Sequence, residues 1–335
     1  MSTIKDVAHA AGVSISTVSI VLNGLAEARK IPKRTQDKVL EAVHAVNYQP
    51  NLSARRLRSS ENQEYTIAIY WANDTRIFVL TRIIQALQGM ILRSSPKINL
   101  EIRPFVPGHL ENDVALRTLS SFNGVMIGTL NKQDLDYLEC RPPLMPVVLY
   151  NRRSKYFSSV SIDNFAVGKL AAEQLLDKGI REIGAVTQRS SFIAMGMRRS
   201  GFMETCLARG VAGLEKNTIV VEDTIAGGYA AGKEFLRRGK VPRGIFCEDD
   251  AMGLGLLNAL WEAGYDVPGD VRVIATGMGS PDMSRYSVPP LTVVELPLSE
   301  MARGGVEQLV KLIERKCEVP QDIRFESVLY VRRSC

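Results

Sequence analysis

The chain has 335 residues, 45% hydrophobic and 23% charged, with a formal net charge of +6. That leaves room for one small module and a two-lobed body, in the proportions of an ordinary soluble globular protein. No apolar run is long enough to span a bilayer and Met1–Asp6 carries no signal-peptide core, so a cytoplasmic protein is expected. Cys140, Cys206, Cys247, Cys317 and Cys335 lack metal-ligand spacing and read as free thiols, so neither a metal nor a cofactor is expected.

Ile4, Val7, Ala8 and Ala11 recur at helical spacing and give a first short helix one apolar face. Gly12 takes positive φ at no steric cost, Val13 plugs the corner, and Ser14 is placed to cap the next helix. That helix buries Val18, Val21 and Leu22, and turns Ile15, Ser16, Ser19, Ile20 and Asn23 outward. A third helix follows over Thr35–Val46, with Val39, Leu40, Val43 and Val46 inward. Two short helices on a tight turn are the layout of a helix-turn-helix, whose second helix enters the DNA major groove. The plainer reading is any three-helix bundle. Against it stand two isoleucines on an outward face and an uneven charge. Residues 1–60 hold nine Lys and Arg against four Asp and Glu, so +5 of the chain's +6 sits there. A basic head on a near-neutral body suits a polyanion partner for the head alone.

Pro50 ends the third helix, and Asn51 can cap about two further turns over Leu52–Arg58. A helix this short is marginal alone and gains from pairing with its own copy and from arginine–phosphate contacts. From Tyr65 onward strands and helices alternate. Strands are predicted at Tyr65–Trp71, Leu100–Phe105, Gly124–Leu130, Pro146–Tyr150, Ile183–Thr187, Thr218–Val221, Gly244–Cys247, Val271–Thr276, Leu291–Leu296 and Phe325–Arg332. Helices are predicted at Val79–Arg93, Phe165–Lys178, Gly196–Arg209, Gly227–Arg238, Ala251–Gly264 and Ser299–Arg315. This alternation means an α/β body of two doubly wound parallel-sheet lobes. The expected layout is a head over 1–47, a linker over 48–64 and a body over 65–335. Lobe 1 would take 65–162 and 291–322, and lobe 2 would take 163–290 and 323–335. Ligands in such sheets sit at the carboxyl ends of the strands, here in a cleft between lobes.

The body shows no enzyme signature. Its one histidine, His109, has no nucleophile turn to serve, and neither a P-loop nor a dinucleotide fingerprint occurs. Glu248-Asp249-Asp250 is an acidic triplet at a strand end. Three adjacent residues cannot all face one ion. The expectation is that one faces the cleft while Asp250 caps the helix beginning at Ala251.

Taken together, Thr3–Val7, Ala11-Gly12-Val13-Ser14, Thr17-Val18-Ser19, Val21-Leu22-Asn23, Thr35, Val39, Tyr48, Pro50-Asn51, Ala54-Arg55 and Leu57 resemble the lactose/galactose-repressor (LacI/GalR) family of bacterial transcription regulators. The resemblance runs through the body to Val331–Ser334. It implies an all-α helix-turn-helix head and a periplasmic-binding-protein type I body. It further implies a nucleoid-associated homodimeric repressor, with double-stranded near-palindromic DNA and a small-molecule effector (a sugar or related metabolite) as partners. The positions matching the family's main base readers are Ile15, Ser16 and Ile20, with Thr17, Ser19 and Asn23 on the same helix. Thr3, Ser14, Arg29, Lys30, Lys33 and Arg34 are placed for the DNA backbone. Asn51, Ala54, Arg55 and Leu57 match the hinge that enters the minor groove, with Leu57 as its wedge.

The chain departs from the family in three places. Gly24–Lys30 is about three residues longer than usual and adds Arg29 and Lys30. Ile15 and Ile20 cannot exchange hydrogen bonds with bases, so thymine methyls are their expected partners. In the body, Arg198 matches the effector-clamping arginine, and Asn151 and Asp249 match polar pocket positions. Trp71 and Phe78 are candidates for an apolar wall or for core, and the pair Asp163-Asn164 reads as structural. Where the family grips its effector with Gly-aromatic-Asp, this chain has Gly277-Met278-Gly279. That points to a less hydroxylated effector, or to an anion held by Arg198 with Arg189. Two other classes compete: a ligand-binding protein with an incidental head, and a doubly wound enzyme. The ending at Cys335, without heptads, favours a dimer over a tetramer.

Overall fold

Three helices come first in the computed structural model, which describes residues 3–46, 48, 64–73, 77–117, 122–189, 192–317 and 320–335. They are α1 (Ile4–Ala11), α2 (Ile15–Leu22) and α3 (Lys33–Ala45). The Asp6 carboxylate accepts hydrogen bonds from the Thr3 N–H at 2.6 Å and the Thr3 hydroxyl at 2.9 Å, which starts α1. Gly12, at φ 64°, ends it in the left-handed region. The Ser14 hydroxyl accepts the Thr17 N–H at 3.0 Å and starts α2, so the two helices meet at 103°. Val7, Ala8, Ala11, Val18, Val21, Leu22, Val39 and Val43 form the head's core, with Ile4, Val13 and Val46 partly buried against it.

Two details differ from expectation. α3 begins at Lys33 rather than Thr35, and Leu40 stays at the margin of the core while Ala42 turns inward. The long segment after α2 does not loop out. Arg29 N–H donates to Leu25 O and Ile31 N–H to Ala26 O, closing a helical turn that buries the Ala26 methyl. The predicted hinge helix, with Asn51, Ala54, Arg55 and Leu57, lies outside the described residues.

The described body residues form two six-stranded sheets. The first contains β1 (Glu64–Ala72), β2 (Lys97–Phe105), β3 (Gly124–Ile127), β4 (Val147–Tyr150), β5 (Ser158–Ile162) and β11 (Asp322–Phe325), in the order β11-β5-β4-β3-β1-β2. Between its strands in sequence run α4 (Ile77–Ile91), after β1, and α5 (Lys132–Cys140), after β3. The second contains β6 (Ile183–Gln188), β7 (Thr218–Val221), β8 (Gly244–Cys247), β9 (Arg272–Gly277), β10 (Thr292–Glu295) and β12 (Val328–Tyr330), in the order β12-β10-β9-β8-β6-β7. Around it in sequence run α6 (Asn164–Leu176), α7 (Ile193–Ala208), α8 (Ile225–Arg237), α9 (Asp250–Glu262), α10 (Pro281–Arg285) and α11 (Leu298–Ile313). Pairing is parallel along β2-β1-β3-β4 and β7-β6-β8-β9-β10, and only the edge strand β12 is antiparallel to its neighbour among these pairs. Strands covered on both faces need apolar residues at every position. Val125-Met126-Ile127 and Val147-Val148-Leu149 supply such runs.

By its contacts the chain divides into two compact units. One comprises Met1–Asn73, Gln88–Ser159 and Gly304–Asp322, and the other Asp74–Leu87, Val160–Arg303 and Ile323–Cys335. This shifts the expected lobe boundaries. β10 belongs to the second sheet, although 291–322 was expected in lobe 1. The expected strand Phe325–Arg332 is two strands, with β11 in the first sheet and β12 in the second. β5 and α5 were not predicted at all.

Candidate DNA interface and effector recess

On α2, Val18, Val21 and Leu22 point into the head while Ile15 is 44% exposed and Ser16 is exposed. Thr17, Ser19 and Ile20 are half-buried on that helix. The Asn23 side chain does not reach outward as expected. Its Nδ2 donates to the Ser19 carbonyl at 2.8 Å and to the Ser19 hydroxyl at 3.3 Å, closing the end of α2. Thr3 and Ser14 are exposed, yet their hydroxyls are occupied in caps. Arg29, Lys30, Lys33 and Arg34 are all exposed, and Lys33 lies 3.7 Å from Asp37. Lys30 takes φ 54°, the left-handed turn that ends the inserted segment.

In the second unit, the carboxyl ends of β7, β8 and β9 border a shallow recess lined by Phe78, Asp223, Asp249, Asp250, Met278 and Met283, with Val79, Ala251 and Gly279. Its acidic character begins in the Glu248-Asp249-Asp250 triplet, whose members do separate work. The Glu248 side chain, 2% exposed, takes the Arg199 Nε at 2.5 Å and Nη2 at 2.9 Å, and the Gln188 N–H at 3.0 Å. Asp249, not Asp250, caps α9, accepting the Ala251 N–H at 2.6 Å. Asp250 is the first residue of α9, and both its oxygens accept the Gly279 N–H, at 3.0 and 3.1 Å. Burial is the main reason the Asp249 carboxyl sits well above the usual carboxylate range, with the charges of Asp250 and Asp223 adding to it. Burial also raises Asp250, against the pull of its backbone donors. The described residues hold no group of three or more His, Cys, Asp or Glu arranged for a metal ion.

Arg198 does not line this recess. Its Nε donates to Asn164 Oδ1 at 2.9 Å and its Nη1 lies 3.0 Å from the Met278 sulfur, so it backs the recess through Met278. The recess itself presents the carboxyl groups of Asp223, Asp249 and Asp250, and the Arg198 guanidinium stands behind Met278 rather than at its surface. Asp163 caps α6 through the Ala166 N–H, and its neighbour Asn164 is buried against Arg198, so that pair is structural. Of the predicted effector residues, Phe78 and Asp249 share the recess. Trp71 and Asn151 belong to the first unit. Trp71 is core, 5% exposed, edge-on to Tyr150 at 5.8 Å and seated where a side chain at Gly128 would collide with it. Asn151 is half-buried at φ 53°, directly after β4.

Two residues escaped the sequence reading. Asp223 follows β7, and Gln188, the last residue of β6, donates its Nε2 to Asp223 Oδ2 at 3.1 Å. Both lie at carboxyl ends of parallel strands, where ligands are sought first, and that rule was the signal available for them.

A helix-turn-helix joined to two doubly wound sheets, one with a polar recess at its strand ends, defines a DNA-binding regulator with a ligand-binding type of body. Residues 3–51 match the family model described as bacterial regulatory proteins, lacI family, and residues 172–335 match that of the periplasmic binding protein-like domain. The solved LacI family transcription regulator from Clostridium acetobutylicum is 31% identical, with a TM-score of 0.77, over 80% of this chain and 99% of that one. The chain therefore belongs to the LacI family of bacterial transcription regulators. The HTH-type transcriptional repressor PurR of Histophilus somni (strain 129Pt) is 28% identical over 100% of this chain and 99% of its own. The transcriptional regulator CelR, solved as its cellobiose complex, is 25% identical with a TM-score of 0.67, over 100% of both chains.

Proposed function

We propose that the protein is a homodimeric repressor of a near-palindromic operator, with the head over 1–47, the hinge over 48–64 and the regulatory body over 65–335. Each protomer lays α2 in one half-site, about one helical turn from its mate. Ile15, Ser16, Thr17, Ser19 and Ile20 face the bases. Arg29, Lys30, Lys33 and Arg34, with Thr3 and Ser14 at the helix starts, meet phosphates, while Asn51, Ala54, Arg55 and Leu57 enter the minor groove. The observation that carries this reading is the two-sided α2, with Val18, Val21 and Leu22 fixed in the core and Ile15 and Ser16 outside beside a basic segment. Gel shift on the DNA upstream of the chain's own reading frame tests it. Specific binding that Leu57→Ala weakens supports the proposal, and no binding even at low salt removes it.

The effector is a neutral or cationic small molecule rich in hydrogen-bond donors, a sugar or related metabolite, taken up at the recess of Phe78, Asp223 and Asp249. The supporting observation is that carboxylates accept and do not donate when ionised, so their natural partners are hydroxyl and amine hydrogens. Ligand-induced stabilisation across sugars, amines and small acids separates the classes. A small acid as the tightest binder overturns this assignment. A cytoplasmic place follows from the DNA partner.

A further inference from the structure

The segment Gly277-Met278-Gly279, where this chain departs from its family, is held from two sides. Asp250 at the start of α9 accepts the Gly279 N–H at 3.0 Å. On the other side of the same residue, the Gly279 carbonyl, part of the next peptide group, accepts Arg82 Nη1 at 2.9 Å. That nitrogen also donates to Glu295 Oε1 on β10 at 2.8 Å, and the ion pair is nearly closed from water, its side chains 12% and 13% exposed. Glycine at 277 makes the arrangement possible. β9 and β10 pair Gly277 with Glu295, and a Cβ at 277 would stand 2.4 Å from Glu295 Oε2. One arginine thus ties three elements: α4, which carries it, β10, and the loop that floors the recess with Met278 and Gly279. On Arg82's side of that loop lies a separate open groove, which Arg82, Pro281 and Glu295 border.

We infer that Arg82 is a coupling residue: through the Gly279 backbone and Glu295 it transmits the state of the acidic recess to helix α4. The functional meaning rests on the recess being the effector site, whereas the coupling itself is a property of the ligand-free protein. α4 is a consequential target, because residues up to Leu87 group with one compact unit and those from Gln88 with the other. A guanidinium suits the role, since one rigid planar group serves a carbonyl and a carboxylate at once. Movement of Gly279 shifts its carbonyl against Arg82, and the nearly dry pair makes any misfit costly.

The test is amide hydrogen exchange of the full-length protein without DNA or ligand, comparing wild type with Asp250→Asn, Arg82→Met, the double variant and Arg82→Lys. Asp250→Asn is expected to speed exchange over residues 77–87 by about tenfold, although Asp250 is two hydrogen bonds from Arg82. The double variant should exchange no faster there than the faster single variant, and Arg82→Lys should recover most of the protection. Wild-type rates over 77–87 in Asp250→Asn, or single effects that add on a logarithmic scale, overturn the coupling. Glu295→Gln, nearly isosteric, provides a second route should Asp250→Asn fail to fold. It must loosen both residues 77–87 and the amides of 278–279, and loosening of only one overturns the inference as well. A failed ligand screen, by contrast, bears on the recess reading alone.

Discussion

The Glu248 carboxylate, directly after β8, pairs with the Arg199 guanidinium and accepts the Gln188 N–H. Removing the guanidinium leaves a buried charge with one neutral donor. Arg199→Ala should therefore cost about 3 kcal/mol, the low end for breaking a buried pair, because the Arg199 side chain is 34% exposed and water can partly replace it. Urea unfolding at neutral pH measures this. Asp249 predicts the opposite sign. Its folded-state value lies above the ordinary 3.8, so the native state holds the proton more tightly than the unfolded chain. Stability from this group is then present at acid pH and falls as pH rises from about 3.8 through the folded value. Asp249→Asn, which keeps a capping oxygen, should flatten that part of the stability–pH profile and raise Tm at neutral pH. An unchanged slope would show that the carboxyl is not strained by its surroundings. The family resemblance placed Asp249 at a polar pocket position, and Asp249 does line the recess, whereas the triplet alone left open which carboxyl faces it. Sequence alone exchanged the roles of Asp249 and Asp250, because which of two adjacent carboxylates caps the helix depends on where Gly279 lies, and Gly279 is far away in the chain.

At the scale of elements, the second unit is assembled from close helix crossings. A Cβ on Gly168 of α6 would lie 1.9 Å from the Arg198 carbonyl of α7, and one on Gly201 of α7 would lie 2.0 Å from the Phe165 carbonyl. The two backbones touch, so neither glycine can gain a methyl without moving a helix. Gly168→Ala should cost about 1–3 kcal/mol by overpacking and displace Arg198 from Asn164, which the Asn164 side-chain NMR signals would report. In the head, Ser14→Ala removes the α2 cap at a cost of about 1 kcal/mol. Faster amide exchange at the start of α2 is the expected sign. Gly12-Val13-Ser14 was legible because caps and turns are local chemistry. β5 and α5 were not. β5 is Ser158-Ser159-Val160-Ser161-Ile162, fully buried despite its serines. Ser159 Oγ donates to Asp322 and Ser158 Oγ accepts the Gln321 N–H, partners far along the chain that make a polar strand tolerable. α5 has a weak apolar pattern, and its one clear signal was the capping box of Asn131 and Asp134.

Over the whole molecule, the alternation of strands and helices announced two parallel sheets, since burial on both faces writes continuous apolar runs into the sequence. Which sheet takes β10, β11 and β12 was not legible. Local pattern describes a strand and not its neighbour, and the short, only partly buried β11 and β12 sit at sheet edges. The charge division was legible and carries a prediction of its own. With +5 in the first 60 residues, operator binding should weaken steeply and log-linearly with salt concentration, while ligand stabilisation of the body should be nearly salt-independent.

If α2 reads DNA through its apolar face, replacing thymine by uracil should weaken binding, because that change removes only the C5 methyl. An operator selected from a random pool is resynthesised with uracil at each thymine in turn, and affinity is measured for wild type and for Ile20→Ala. A loss of about fourfold per methyl is expected at the half-site thymines facing Ile15 and Ile20, the worth of one buried carbon, with the Ile20 positions becoming insensitive in Ile20→Ala. Uracil operators bound as tightly as thymine ones, with Ile20→Ala instead losing a guanine-dependent contact, would contradict it.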